Sequence, residues 1–212
     1  MYRKYIKRLF DLILSGIALL FLWLPMLIIG IIVKCDSKGP ALFWQKRVGM
    51  NKETFMMPKF RSMYTETPAN MPTHLLANPE QWITRAGRFM RKASLDELPQ
   101  IWSIFTGKMS IIGPRPALWN QDDLIAERDK YGANGVRPGL TGWAQIDGRD
   151  EIEIDEKAQL DGEYVEKMSF LFDCKCFFDT ILFVLRRKGV VEGGTGQLHK
   201  DEKKEEAVSE EA

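Results

Sequence analysis

Histidine is almost missing from this chain, with His74 and His199 the only two in 212 residues, and His199 falls in a charged tail. That scarcity argues against a histidine-built zinc site and against a Ser-His-Asp triad. Cysteine is scarce as well. Cys35, Cys174 and Cys176 form an odd set without metal-ligand spacing, and the last two sit in an apolar helical pattern where a thiol serves as a small hydrophobe. The domain therefore reads as facing a reducing compartment. Internal repeats are absent, and so is a large charge of one sign, since 30 Lys and Arg stand against 29 Asp and Glu. The balance conceals an asymmetry: residues 201 to 212 hold six acids and two lysines, net −4, which leaves about +5 for the rest. The basic surplus gathers beside aromatic and apolar runs (Arg85, Arg88, Arg91 and Lys92; Arg186, Arg187 and Lys188). Such placement suits anionic lipid or phosphorylated substrates and predicts no nucleic-acid partner.

What the chain does have is one long apolar run from Leu12 to Val33, enough at about 1.5 Å per residue to cross roughly 30 Å of hydrocarbon. It leads into Lys34-Cys35-Asp36-Ser37-Lys38 with no small-residue cleavage site, so it is expected to stay attached. Its orientation is open. Arg3, Lys4, Lys7 and Arg8 precede it and Lys34, Lys38, Lys46 and Arg47 follow it, so both ends carry the charge that favours the cytoplasmic side. Pro25 removes one helical amide past the middle of the run. A helix bent there can enter and leave by one face, and a kinked spanning helix is the alternative.

Beyond this segment, residues 41 to 48 and 54 to 63 read as two strands around a turn at Gly49-Met50-Asn51, and Pro58 makes the second an edge or irregular strand. Thr65 to Pro79 reads as a loop. Residues 80 to 92 carry Trp82, Ile83, Ala86, Phe89 and Met90 at helical spacing, flanked by arginines, as in a basic amphipathic helix. Further helices are predicted from Ser94 to about Gly107, from Ala117 to Tyr131, and as a pair between Glu156 and Arg187; the tail beyond is expected to be disordered.

Candidate chemistry lies in Ser94-Leu95-Asp96-Glu97-Leu98-Pro99-Gln100 and Gly113-Pro114-Arg115-Pro116. A carboxylate can attack phosphorus or hold Mg²⁺, and a guanidinium matches phosphate oxygens as a planar fork. A purely structural reading stands beside this one: Ser94 and Glu97 have the spacing of a capping box, with acids favoured at a helix start. Pro99 tells against a regular first turn, because it falls at the fifth position of such a helix. Arg115, between two prolines, has little backbone entropy to lose on gripping an anion, or is a surface turn residue. Lys59 and Arg61 share one face of a strand, as ligands for an anion or as an ordinary solvated edge. The segment from Arg137 to Gln145 lines a nucleotide pocket or is a plain turn into a strand.

Taken together, Lys7-Arg8 with Phe10-Asp11, the apolar run with Pro25, Lys59-Phe60-Arg61-Ser62-Met63, Ser94 to Gln100, Met109 to Pro116 and Arg137 to Trp143 resemble the bacterial sugar transferases. These are small monotopic phosphoglycosyl transferases that load a sugar phosphate onto polyprenyl phosphate. The resemblance spans Lys7 to about Arg187. It implies an α+β, predominantly helical, monotopic membrane protein with a re-entrant N-terminal helix, interfacial amphipathic helices and a small sheet. The divisions would be 1–36 for the membrane helix, 37–190 for a cytosolic catalytic domain and 191–212 for the tail, at the cytoplasmic face of the inner membrane. By the same resemblance Asp96 attacks the β-phosphorus of a UDP-sugar and releases UMP, and polyprenyl (undecaprenyl) phosphate then takes the sugar phosphate from the aspartate. Asp96 and Glu97 would hold Mg²⁺, and Lys59, Arg88 and Arg115 would serve as charge partners for the substrate phosphates, with Arg137 and Gln145 also assigned to substrate binding. Partners would be UDP-sugar, polyprenyl phosphate, membrane lipids and downstream glycosyltransferases. Members of the family usually carry Ser-Pro in the membrane helix, where this chain has Leu24-Pro25. The chain's small size resembles the members that initiate N-linked protein glycosylation in campylobacters, which points to a UDP-diacetamido-trideoxyhexose donor. A membrane-anchored phosphohydrolase and a non-catalytic membrane scaffold are the competing readings.

Overall fold

The computed structural model describes residues 1–67, 78–147 and 153–185. A π-helical turn, Tyr2–Ile6, leads into α1, Lys7–Asp36, a continuous helix of 30 residues that carries Pro25 within it. At about 1.5 Å per residue it is roughly 45 Å long, and it is long and apolar enough to cross a membrane. Leu20 and Phe21, at 69% and 71% exposure, typify its outer surface. No bilayer is needed to see that this face has no protein against it, which a water-soluble helix of this composition would not tolerate.

Both ends of α1 are nevertheless tied to the same body. Near its start, Lys7 Nζ meets Asp173 at 2.6 Å, and Arg8 donates to the Ile104 and Phe105 carbonyls at 2.7 Å each. Asp11 accepts from Ser110 Oγ and the Ile111 amide at 3.0 and 2.9 Å. At its far end Asp36 accepts from the Ala86 amide at 3.0 Å, and Val33 packs with Phe60 and Met90. Arg61 closes the turn that follows, donating to the Ser37, Lys38 and Pro40 carbonyls. Its three bonds answer backbone acceptors that have no helical partner, so the strand-face alternation that made it a candidate anion ligand gives way to a structural clamp.

The hairpin pairs β1, Leu42–Val48, with β2, Thr54–Phe60, antiparallel from Leu42↔Phe60 to Val48↔Thr54. Pro58 is accommodated because the sheet has only these two strands. The basic helix is shorter than its periodicity suggested: α2 is Arg85–Lys92, preceded by a 3₁₀ turn, Pro79–Trp82. Thr84 sets the start by accepting from the Gly87 amide at 2.9 Å.

The capping-box reading of Ser94 and Glu97 is overturned. Ser94 is left-handed (φ 54°), its side chain caps nothing, and Leu95–Glu97 form a 3₁₀ turn. The Glu97 and Leu98 amides bond back three residues, to Ser94 and Leu95. Pro99 has no amide to give, so the regular helix α3, Gln100–Phe105, starts only behind it.

β3, Ser110–Ile112, and β4, Gly139–Thr141, pair in parallel with Ser110↔Gly139 and Ile112↔Thr141. Glycine permits this contact: a Cβ on Gly139 would lie 2.2 Å from the Gly113 nitrogen, and one on Gly142 2.1 Å from the Gly113 oxygen. Between the strands lies α4, Asp122–Lys130, shorter than the 117–131 expected because Ala117 and Leu118 are drawn onto β1 instead. The short α5, Trp143–Asp147, precedes α6, Ile154–Lys167, and α7, Phe170–Leu185, the expected helical pair. Ile112, Tyr164 and Cys176 form the core beneath them. Burial pushes the Cys176 thiol up to about 12, as befits a cysteine used as a hydrophobe. The basic run 186–188, the tail and most of the 65–79 loop fall outside the described residues.

Candidate active site

Three segments meet at the acids. β2 delivers Lys59, the 3₁₀ turn delivers Asp96 and Glu97, and the loop after β3 delivers Arg115. One oxygen of Glu97, Oε1, accepts from Lys59 Nζ at 2.9 Å and from Arg115 Nη2 at 2.7 Å. Burial alone would raise the pKa of Glu97. Arg115, and then Lys59, outweigh it and hold the carboxyl well below the usual carboxylate range. Glu97 is therefore ionised at neutral pH. Asp96, beside it, is 2% exposed.

Arg115 is positioned from both sides. The Pro114 carbonyl accepts from the Gly139 amide at 2.8 Å, and the Pro116 carbonyl from Arg47 Nη1 at 2.9 Å. Arg47 is itself held by Gln45. The two prolines thus fix the torsions of a loop that neighbouring strands also hold in place, which keeps the guanidinium aimed at Glu97 with little entropy left to lose.

None of the other candidates bonds to Glu97, Lys59 or Arg115. Arg88 stands exposed on α2, and its side chain makes no hydrogen bond or ion pair with any described residue. Arg137 donates Nε to the Gly107 carbonyl at 2.9 Å, past the C-terminal end of α3 and so at the opposite end of that helix from the acids. Arg8 donates to the Ile104 and Phe105 carbonyls in the last turn of α3, so both arginines bring positive charge to that end of the helix. Gln145 sits on α5 with both polar atoms of its side-chain amide buried and neither hydrogen-bonded among the described residues. Buried amides are ordinarily satisfied, so this one has a donor and an acceptor to offer a ligand. Gln100 has the same character, its Nε2 buried and unbonded at the start of α3, and sequence reasoning missed it. Glutamine in an apolar helix start carries no signal of its own.

Two adjacent acids with two cations fit Mg²⁺ only in the manner of an ion that takes one or two carboxylates and completes its shell with water and substrate phosphate. Among the described residues no three carboxylate, histidine or cysteine side chains cluster into a cage. The donor set is hard oxygen, which suits that ion.

The arrangement defines an α+β protein that sets two adjacent acids, one of them paired with two cations, beside an apolar helix. The chain belongs to the bacterial sugar transferase family, whose model matches residues 2–187. It is 39% identical over 185 residues to an undecaprenyl-phosphate glucose phosphotransferase of Komagataeibacter xylinus, covering 82% of this chain and 35% of that protein. It is 33% identical to a UDP-galactose-lipid carrier transferase of Erwinia amylovora, over 88% of this chain and 42% of that one. An uncharacterized sugar transferase, EpsL, of Bacillus subtilis is 37% identical and matches over 87% of this chain and 90% of its own length. The chain thus spans well under half of the first two relatives and nearly all of the third.

Proposed function

We propose that this protein transfers sugar 1-phosphate from a UDP-sugar to polyprenyl phosphate, giving a polyprenyl diphosphosugar and UMP. The observation that carries the reading is the pairing of a buried Asp96 with a Glu97 whose carboxylate is held by Lys59 and Arg115. A carboxylate oxygen of Asp96 attacks the β-phosphorus. The bond from that phosphorus to the bridging oxygen breaks, and UMP leaves with the electron pair. A polyprenyl phosphate oxygen then attacks the same phosphorus and returns the carboxylate to Asp96. Lys59 and Arg115 meet the charge that gathers on the phosphoryl oxygens, a task for fixed cations in a partly dry site. Mg²⁺ bound by Asp96 or Glu97 and by the diphosphate would neutralise the leaving UMP.

Gln145 offers its amide to the nucleotide, and Arg88, whose exposed side chain bonds to none of the described residues, is available to a phosphate. We assign no substrate contact to Arg137, since its Nε serves the Gly107 carbonyl. We further infer that α1 enters and leaves the membrane by the cytoplasmic face. Support comes from its two ends being bonded to one body, which a straight span could not allow. For the donor, the names of the relatives point to UDP-glucose and UDP-galactose, and family resemblance to UDP-diacetamido-trideoxyhexose.

Intact mass of the protein after incubation with each UDP-sugar and Mg²⁺ tests the proposal. Addition of one sugar phosphate, mapped to Asp96 and discharged by undecaprenyl phosphate, is the expected result. Release of free sugar phosphate without lipid would instead mark a phosphohydrolase, and no turnover with any of the three donors would favour a scaffold.

A further inference from the structure

A cavity of about 630 Å³ runs between α1 and the hairpin. Strand register puts Leu42 and Trp44 opposite Phe60 and Pro58, so these four share one face, and Lys59 turns to the other, toward Glu97. Trp23 and Met26 of α1 and Trp102 of α3 close it. The only charge in its lining is Lys34, in the last turn of α1.

Three features decide its occupant. The wall formed by α1 is continuous with the exposed apolar surface of that helix, so hydrocarbon rather than water or a soluble peptide fills it. Its lining includes Pro58, which precedes Lys59, and Pro99, two residues after Glu97. The cavity therefore ends at the edge of the cluster that binds phosphate. Gly30 also contributes, and its missing side chain leaves room: a Cβ there would be 3.8 Å from Phe60 and 3.9 Å from Ala41.

We propose that this groove holds the phosphate-proximal isoprene units of the acceptor lipid, threading its head past Pro58 and Pro99 to Asp96. The inference rests on the reading of the chain as a polyprenyl-phosphate transferase and adds where the lipid lies. An alkyl chain seated against three tryptophans next to a phosphate site would be selected over a phospholipid by its single chain and its single phosphate at the end.

The test uses full-length protein in detergent and farnesyl phosphate bearing a diazirine at its distal end. Photolabel is expected on peptides carrying Trp23 or Met26, Trp44, or Trp102, competed by undecaprenyl phosphate and not by phosphatidylglycerol. Gly30→Leu should raise the KM for lipid phosphate about tenfold by filling the groove, with the KM for UDP-sugar and the loading of Asp96 unchanged. Gly30→Ala, whose methyl meets only ordinary contacts, should raise that KM by less than Gly30→Leu does. Label elsewhere, equal competition by phosphatidylglycerol, or an unmoved lipid KM in folded Gly30→Leu overturns the groove. If the label maps to the groove but no UDP-sugar yields a lipid product, the groove stands and the transferase reading fails.

Discussion

Two acids in this protein, Asp161 fully buried and Glu97 largely so, are gripped by arginine, and they do different work. Asp161 on α6 accepts from Arg128 Nε at 2.8 Å and Nη2 at 2.5 Å, with side chains 1% and 4% exposed. Glu97 shares one oxygen between Arg115 and Lys59, with side chains 13%, 25% and 13% exposed. The first is a closed fork, one charge against one, locking α4 onto α6 where no solute can reach. The second sets two cations on one carboxylate and leaves Arg115 reachable, so an incoming anion can share them. An arginine and a carboxylate in contact say little about function; their ratio and their access say more.

The sharpest break between the two regions is at Asp96, beside the open cluster. Asp96→Asn should lower transfer by at least about 10³-fold, since the amide cannot form the phosphoryl bond, and the circular dichroism and thermal midpoint should stay near those of the unaltered protein. Continued transfer at normal speed would remove the nucleophile from the scheme. Arg128→Ala should do the reverse. Leaving Asp161 buried without its partner is expected to cost about 3–5 kcal/mol of stability in denaturant unfolding, and the protein that remains folded should keep its specific activity.

Arg115→Ala tests whether the open cluster matters mainly to chemistry. Loss of one fixed donor to a developing phosphoryl charge should lower kcat by about 10²-fold. Stability should change by only about 1 kcal/mol, because Lys59 still answers Glu97 and the site is partly wet. A larger loss of stability than that of Arg128→Ala would invert the comparison.

Local signals were legible along the chain and tertiary ones were not. Length and composition marked α1, two short runs around a turn at Gly49-Met50-Asn51 marked the hairpin, and periodicity marked the pair α6 and α7. The acid dyad was visible because its residues are adjacent, and Pro99 betrayed an irregular turn, though not the left-handed Ser94 that starts it. That Lys59 meets Glu97 across 38 positions was not legible, since nothing local records a contact made by folding. The three-residue strands β3 and β4 are too short for a period to show, so Gly113 and Gly139 read as turns when their role is close backbone approach. Arg61 read as an anion ligand from its strand face and Arg137 was assigned to substrate binding by resemblance; only the fold shows Arg61 donating to carbonyls of the turn after α1 and Arg137 Nε donating to the Gly107 carbonyl beyond α3.

The smallest expected effect is on acid stability, and its sign separates a held carboxylate from an ordinary one. Glu97 has a folded pKa well below its ordinary 4.5, because Arg115 and Lys59 outweigh burial. As pH falls, the unfolded chain takes up this proton before the folded one does. The stabilisation is therefore fully present above about pH 4.5 and is lost progressively below it. Glu97→Gln cannot titrate and leaves two cations facing a neutral amide, so it should be less stable than the unaltered protein at pH 7 by on the order of 1–2 kcal/mol. The gap should narrow as pH drops through 4.5 toward 3. Denaturant midpoints measured across that range decide it: a gap that stays constant would mean that Glu97 is not held ionised by its neighbours, and would leave Arg115 and Lys59 as bystanders to the acid they touch.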